Sequence, residues 1–220
     1  MASYFITATG TGAGKTYVTA GLIKAGRELK KEIAAIKPVM SGYDPALAAE
    51  SDAGILLEAM GRPATPGNVA TISPWRFTAP LSPDMAGVRE GKRVGFEDLL
   101  TFCKAAAAAA RGPLLIEGVG GVAVPLNDDM LVADWIAALK IPALLVCGTY
   151  LGSISHTLSA LGFLVQQNIK IAGVVLSESP ASPVLPEETA ATLERFITCP
   201  IHIIPRDFDD GTFRKIAARL

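Results

Sequence analysis

Phosphate chemistry is written into the first residues that could do any chemistry. Tyr4-Phe5-Ile6-Thr7-Ala8 favours a strand, Thr9 to Gly14 is glycine-rich, and Lys15-Thr16 opens a segment with Val18, Leu22, Ala25 and Leu29 at helical spacing. Glycines let backbone N–H groups approach a phosphate closely, and the helix start adds partial positive charge. Lys15 supplies a mobile cation and the Thr16 hydroxyl a ligand for magnesium. The usual first glycine of such a loop is missing, because that place falls on Thr9, with Ala8 one residue further back.

Three further side chains qualify by position. Ile33 to Ile36 reads as a buried strand, and Pro38 disfavours helical geometry at Lys37, which places Lys37 at the strand's carboxyl end. Ligands of open parallel sheets bind at that edge. Leu114-Leu115-Ile116 is another strand, ending at Glu117-Gly118-Val119-Gly120-Gly121. A carboxylate at a buried strand tip needs a cation, and magnesium held on nucleotide phosphates would supply one. Ser51-Asp52 opens a helix from Ala53 to Met60, where Asp52 serves as a cap or as a site residue.

The elements that must carry these residues alternate between short apolar runs and helical segments. Strands are expected at Ala143–Gly148, Ile171–Ser177 and Ile201–Ile204, and helices at Phe96–Arg111, Leu131–Leu139, from Ser153 to Gln167, at Glu187–Ile197 and at Phe213–Leu220. The segment from Gly61 to Pro83 holds Pro63, Pro66, Pro74, Pro80 and Pro83 and is expected to form no regular element. It is read as a long loop over the sheet edge that touches substrate, with Trp75, Phe77 and Leu81 burying apolar surface. The alanines from Ala105 to Ala110 need only helix propensity to explain them. The fold class is therefore α/β, a single-domain P-loop NTPase-like fold over residues 1–220, with a doubly wound, mainly parallel sheet flanked by helices.

Composition excludes other classes. The 220 residues are 50% hydrophobic, and 20 Lys plus Arg face 21 Asp plus Glu with no basic block, which argues against a nucleic-acid surface. No apolar run approaches the roughly 20 residues of a membrane span, and no secretory pattern opens the chain, so a cytoplasmic protein is expected. Cys103, Cys147 and Cys199 lack metal-ligand spacing and read as buried thiols. His156 is read as a hydrogen-bonding scaffold residue and His202 as structural.

Gly14-Lys15-Thr16, Lys37-Pro38-Val39-Met40-Ser41-Gly42, Ser51-Asp52, Glu117 to Gly121 and Leu151-Gly152-Ser153-Ile154-Ser155-His156 together resemble the dethiobiotin synthetase family, in order and over almost the whole chain. That family's loop has five residues between its glycines, and Ala8 takes the place of the first. The resemblance implies ATP- and magnesium-dependent ligation of carbon dioxide to 7,8-diaminopelargonic acid, closing the ureido ring of dethiobiotin. Lys15 and Lys37 would be catalytic. Gly12, Ala13, Gly14, Lys15, Thr16, Tyr17, Ser177 and Pro205 would bind nucleotide, and Thr16, Asp52 and Glu117 would bind Mg2+. Thr11, Ser41 and Gly120 would touch the diamine, while Gly152, Ser153 and Ser155 would reach the substrate carboxylate across a homodimer.

Departures from the family pattern are also legible. Gly12 stands where a glutamate is frequent, Ser177-Glu178 replaces an asparagine-aspartate pair whose asparagine recognises adenine, Ser155 replaces an asparagine, and Thr189 an aromatic residue. The competing reading is a nucleotide-switched partitioning or metallocluster-carrier type ATPase. Such proteins usually carry a second lysine near Gly10 or Thr11, where this chain has none. A synthetase or amidase for another metabolite on the same scaffold is a third reading.

Overall fold

A computed structural model describes residues 2–180, 182–206 and 211–220. Six strands form one all-parallel sheet: β1 (Ser3–Ala8), β2 (Ala34–Ile36), β5 (Leu114–Glu117), β6 (Ala143–Cys147), β7 (Ile171–Ser177) and β8 (Ile201–Ile204). Their spatial order is β2-β5-β1-β6-β7-β8. Helices on both faces leave the central strands no wet side, so β5 and β6 are buried along their whole length and read as unbroken apolar runs. All six strands expected from the sequence are present.

The chain leaves β1 toward β2 on one side, returns to β5, and then passes β1 to reach β6, β7 and β8. Connections between parallel strands are right-handed as a rule, which puts α1 (Lys15–Glu28) on one face, where it packs with α2 (Asp52–Ala59) and α9 (Thr212–Arg219). The opposite face receives α5 (Phe96–Ala109), α6 (Val132–Leu139), α7 (Ser153–Gln166) and α8 (Pro186–Leu193). Trp135 of α6, fully buried, meets Phe5 of β1 edge-on at a ring separation of 4.7 Å, fixing that helix across the central strand.

The proline-rich segment corrects an expectation. Residues 61–83 are not one irregular loop, because they contain α3 (Pro66–Ile72) and β4 (Trp75–Arg76) and run into α4 (Pro83–Glu90). Pro66 and Pro83 occupy first-turn positions, where the missing N–H would have no intrahelical partner anyway, so each starts its helix. The strand β4 pairs in parallel with β3 (Val39–Met40) as a small separate sheet. Gly42 N donates to Ala79 O (3.2 Å) and Ala79 N to Glu90 Oε1 (3.0 Å), bracing the stretch that carries Pro80, Leu81 and Ser82.

Candidate active site

Three adjacent strands, β2, β5 and β1, end at the same rim, and that adjacency brings the charged residues together. Lys15 and Thr16 open α1 after β1, Lys37 follows β2, Glu117 closes β5, and Asp52 opens α2. Ser51 is the N-cap of α2, its Oγ accepting from Gly54 N (3.1 Å) and donating to Ala48 O (2.6 Å). The cap is thus already filled, and Asp52 turns to the cluster.

Lys37 is the hub. Its Nζ lies 2.7 Å from Glu117 Oε1 and 2.9 Å from Asp52 Oδ2, and donates to Gly118 O at 2.8 Å. Lys37 is 2% exposed and Glu117 0%, so each is the other's counter-charge. Burial pulls the Lys37 ammonium down, but the Glu117 and Asp52 carboxylates outweigh it and hold it above its ordinary value. Burial also pushes Asp52 up, yet Lys37 and then the Thr16 hydroxyl bring it below the usual carboxylate range. Thr16 Oγ1 donates to Glu117 Oε1 (2.8 Å), while Glu117 Oε2 is buried without a hydrogen-bond partner among the described residues.

Lys15 behaves differently. Its ammonium donates to Gly120 O at 2.7 Å, and burial, followed by the neighbouring Lys37 charge, pulls it down to about 8. The left-handed Gly14 (φ 94°) turns the chain into α1, and a Cβ there would lie 2.7 Å from Ser177 Oγ, so only glycine fits. A cavity of about 500 Å3 opens over this rim, lined by Thr11, Gly12, Gly14, Lys15, Thr16, Tyr17, Lys37, Ser41, Asp52 and Gly120. Pro80, Leu81, Val119 and Val124 give it an apolar wall. Ser41 Oγ, buried and without a partner among the described residues, belongs to a residue of that lining.

Not every expected residue joins this cavity. Gly12, Gly14 and Tyr17 also line a neighbouring cavity of about 400 Å3, together with Ala13, Ser177, Glu178, Ser179, Pro180 and Arg206. Pro205 precedes Arg206 without lining either space. Gly152, Ser153 and Ser155 sit at the start of α7 and line neither cavity; Ser153 is buried, whereas Gly152 and Ser155 face outward. His156 shares a hydrogen bond with Tyr150 OH through Nδ1 (2.9 Å), as a scaffold residue would, and His202 lies within β8. Thr189 is 3% exposed and packs inside the protein. Burial pushes the Cys103 and Cys147 thiols up to about 12 and raises the half-buried Cys199.

The sequence reading missed Val119, Val124 and Ser82 as lining, and Ser179 and Arg206 as neighbours of Ser177. For Ser82 the signal was present in Pro80-Leu81-Ser82-Pro83, where Leu81 and Ser82 are held between two prolines shortly after the buried Phe77.

A family model described as an AAA domain matches residues 2–205. Curated relatives carry the description ATP-dependent dethiobiotin synthetase. The protein of Acidiphilium cryptum is 52% identical over 90% of this chain and 89% of its own length, and that of Methylobacterium nodulans 45% identical over 89% of each. The protein of Bacillus licheniformis is 33% identical over 98% of this chain and 90% of its own length. The chain belongs to the dethiobiotin synthetase family. Membership makes it an ATP-dependent ligase and disfavours the nucleotide-switch reading.

Among solved structures, the cell division ATPase MinD of Pyrococcus furiosus superposes with a TM-score of 0.57 at 17% identity, covering 99% of this chain and 98% of its own. Cobyrinic acid a,c-diamide synthase of Mycobacterium smegmatis, with bound ADP and magnesium, gives 0.53 at 12% identity over 99% and 93%. At these identities the likeness shows the fold alone, which this chain shares with a cell division ATPase and with a diamide synthase. Among the described residues no helix is long and apolar enough to cross a membrane.

Proposed function

We propose that the protein closes the ureido ring of dethiobiotin from 7,8-diaminopelargonic acid, carbon dioxide and ATP with the help of Mg2+. The observation that carries this reading is the placement of Lys15, Lys37, Asp52 and Thr16 on one cavity with an apolar wall, with the buried Glu117 behind them in contact with Lys37 and Thr16. Phosphoryl transfer between anions asks mainly for fixed positive charge.

One amine of the diamine takes up carbon dioxide, losing a proton, to give a carbamate. A carbamate oxygen bonds to the terminal phosphorus of ATP as the bond to ADP breaks. The second amine then attacks the carbamoyl carbon and gives up a proton, and phosphate leaves as the ring closes. Lys37, charged and immobilised by Glu117 and Asp52, offsets the repulsion between carbamate and phosphate. Lys15 exchanges the Gly120 carbonyl for the outer phosphates. The Ser41 hydroxyl, without a partner among the described residues, takes an amine of the diamine, and Leu81, Val119 and Val124 cover its methylene chain.

A magnesium ion fits the oxygen donors present. Thr16 Oγ1 donates to Glu117 Oε1, Asp52 and Glu117 share the Lys37 ammonium, and Glu117 Oε2 is a buried oxygen without a partner among the described residues. Bound there with phosphate and water oxygens, the ion would neutralise charge on the outer phosphates. Two copies of the chain complete the site, with Gly152, Ser153 and Ser155 of each reaching the substrate carboxylate bound by the other. The protein works in the cytoplasm.

The test supplies the purified chain with ATP, MgCl2, bicarbonate and 7,8-diaminopelargonic acid and follows dethiobiotin by mass spectrometry. Dethiobiotin formed in step with ADP is expected. ATP turnover that ignores the diamine would overturn the reading.

A further inference from the structure

Part of the cavity's apolar wall stands on a stretch that belongs to no regular element. The strand β4 ends at Arg76 and α4 begins at Pro83; between them Pro80, Leu81 and Ser82 line the cavity, and Leu81 is only half-buried. With no ladder or helix to hold it, such a stretch keeps its shape through individual hydrogen bonds.

Ala79 collects those bonds. Its carbonyl accepts from Leu81 N (2.9 Å) and from Gly42 N (3.2 Å), so one oxygen ties the wall to the residue after Ser41. Its N–H donates to Glu90 Oε1 (3.0 Å), a side chain that reaches back from the last residue of α4. Glu90 Oε2 pairs with Lys92 Nζ at 2.7 Å, but the Lys92 side chain is 53% exposed against 17% for Glu90. Water screens the ion pair, and the sheltered contact is the one to Ala79. A carboxylate at the carboxyl end of a helix also faces the negative end of the helix dipole, which disfavours it. Helix preference therefore gives no reason for Glu90, whereas the Ala79 amide does.

We propose that Glu90 is a positioning residue for the diamine: by holding Ala79 it sets Leu81 against the methylene chain and, through Gly42, the Ser41 hydroxyl against an amine. Glu90 lines no part of the cavity and acts only through the backbone it fixes. The inference rests on the ligase reading above, which brings the diamine to this wall. The phosphate loop lies outside the segment that Glu90 braces, so the nucleotide should not sense its loss.

Reach and charge are separable at this position. Glu90→Gln keeps an acceptor oxygen at the right length without the charge, Glu90→Asp keeps the charge but falls a methylene short, and Glu90→Ala removes both. Initial rates of dethiobiotin formation are measured for the parent and the three variants, varying the diamine at saturating ATP and ATP at saturating diamine. Glu90→Ala and Glu90→Asp are expected to raise KM for the diamine by about tenfold, with KM for ATP within about twofold of the parent, and Glu90→Gln to restore the diamine KM to within about threefold. A general loss of structure would instead lower kcat with both KM values unmoved. A diamine KM unaltered in Glu90→Ala and Glu90→Asp, an equal rise in both KM values, or a Glu90→Gln enzyme as impaired as Glu90→Ala would overturn the assignment. Hydrogen exchange of the Ala79 amide, followed by NMR without turnover, should be about tenfold faster in Glu90→Asp than in the parent, while the Phe5 amide of β1 keeps its rate; equal exchange at Ala79 would overturn the assignment as well. Should the parent form no dethiobiotin, the ligase reading fails instead, and the exchange rate decides by itself whether Glu90 holds the wall.

Discussion

Lys15 and Lys37 share one rim yet carry opposite shifts, because only Lys37 has carboxylates in direct contact. Lys37, raised above 10.5, stabilises the fold at every pH below that value and loses this contribution as pH climbs through its folded value. Asp52, lowered from 3.8, contributes above that value and loses its contribution as pH falls through the folded one. Lys15 has the reverse sign: with a folded value of about 8 against 10.5, the unfolded chain holds more protons between the two, so stability rises with pH there. Phosphates demand the charged ammonium, so ADP binding above about pH 8 takes up a proton at Lys15. Calorimetry at pH 8.5 to 9 in two buffers of different ionisation enthalpy should give different apparent heats, and identical heats would contradict the coupling. Glu117→Gln removes charge beside Thr16 and should raise the magnesium concentration needed for half-maximal rate by about tenfold, as measured by metal titration. An unaltered titration would remove Glu117 from the metal site.

Single elements show where local sequence carried the structure and where it did not. Strands of the buried sheet were legible because parallel strands under two helix layers are continuous apolar runs, as in Leu114-Leu115-Ile116 and Ala143 to Cys147. Pro66 and Pro83 misled, since the same residue breaks a helix interior and starts a helix at its first turn, and only the chain's later path decides between them. Ser51 and Asp52 were indistinguishable as caps from sequence; the structure gives the cap to Ser51 and frees Asp52 for Lys37. Ser51→Ala should therefore destabilise the protein by about 1 kcal/mol in urea unfolding. It should also slow turnover, because the turn that aims Asp52 loosens. Unaltered unfolding together with unaltered rates would show that the cap contributes nothing to the site.

At the scale of the molecule, the site exists because β2, β5 and β1 are neighbours although β5 comes late in the chain. Lys15, Lys37, Asp52 and Glu117 were each nameable from the sequence, since each stands next to a strand end or a helix start. Their mutual contacts were not, because strand order is a property of the whole sheet. The central claim is that Lys37, fixed by two carboxylates, supplies the charge that lets two anions react. Lys37→Gln keeps the shape and a donor toward Glu117 and Gly118 but removes the charge. The decisive measurement sets the equilibrium affinity of this variant for ADP beside its single-turnover rate of dethiobiotin formation. The account predicts an affinity within about threefold of the parent and a rate about a hundredfold or more below it; a rate within a few-fold of the parent would contradict it.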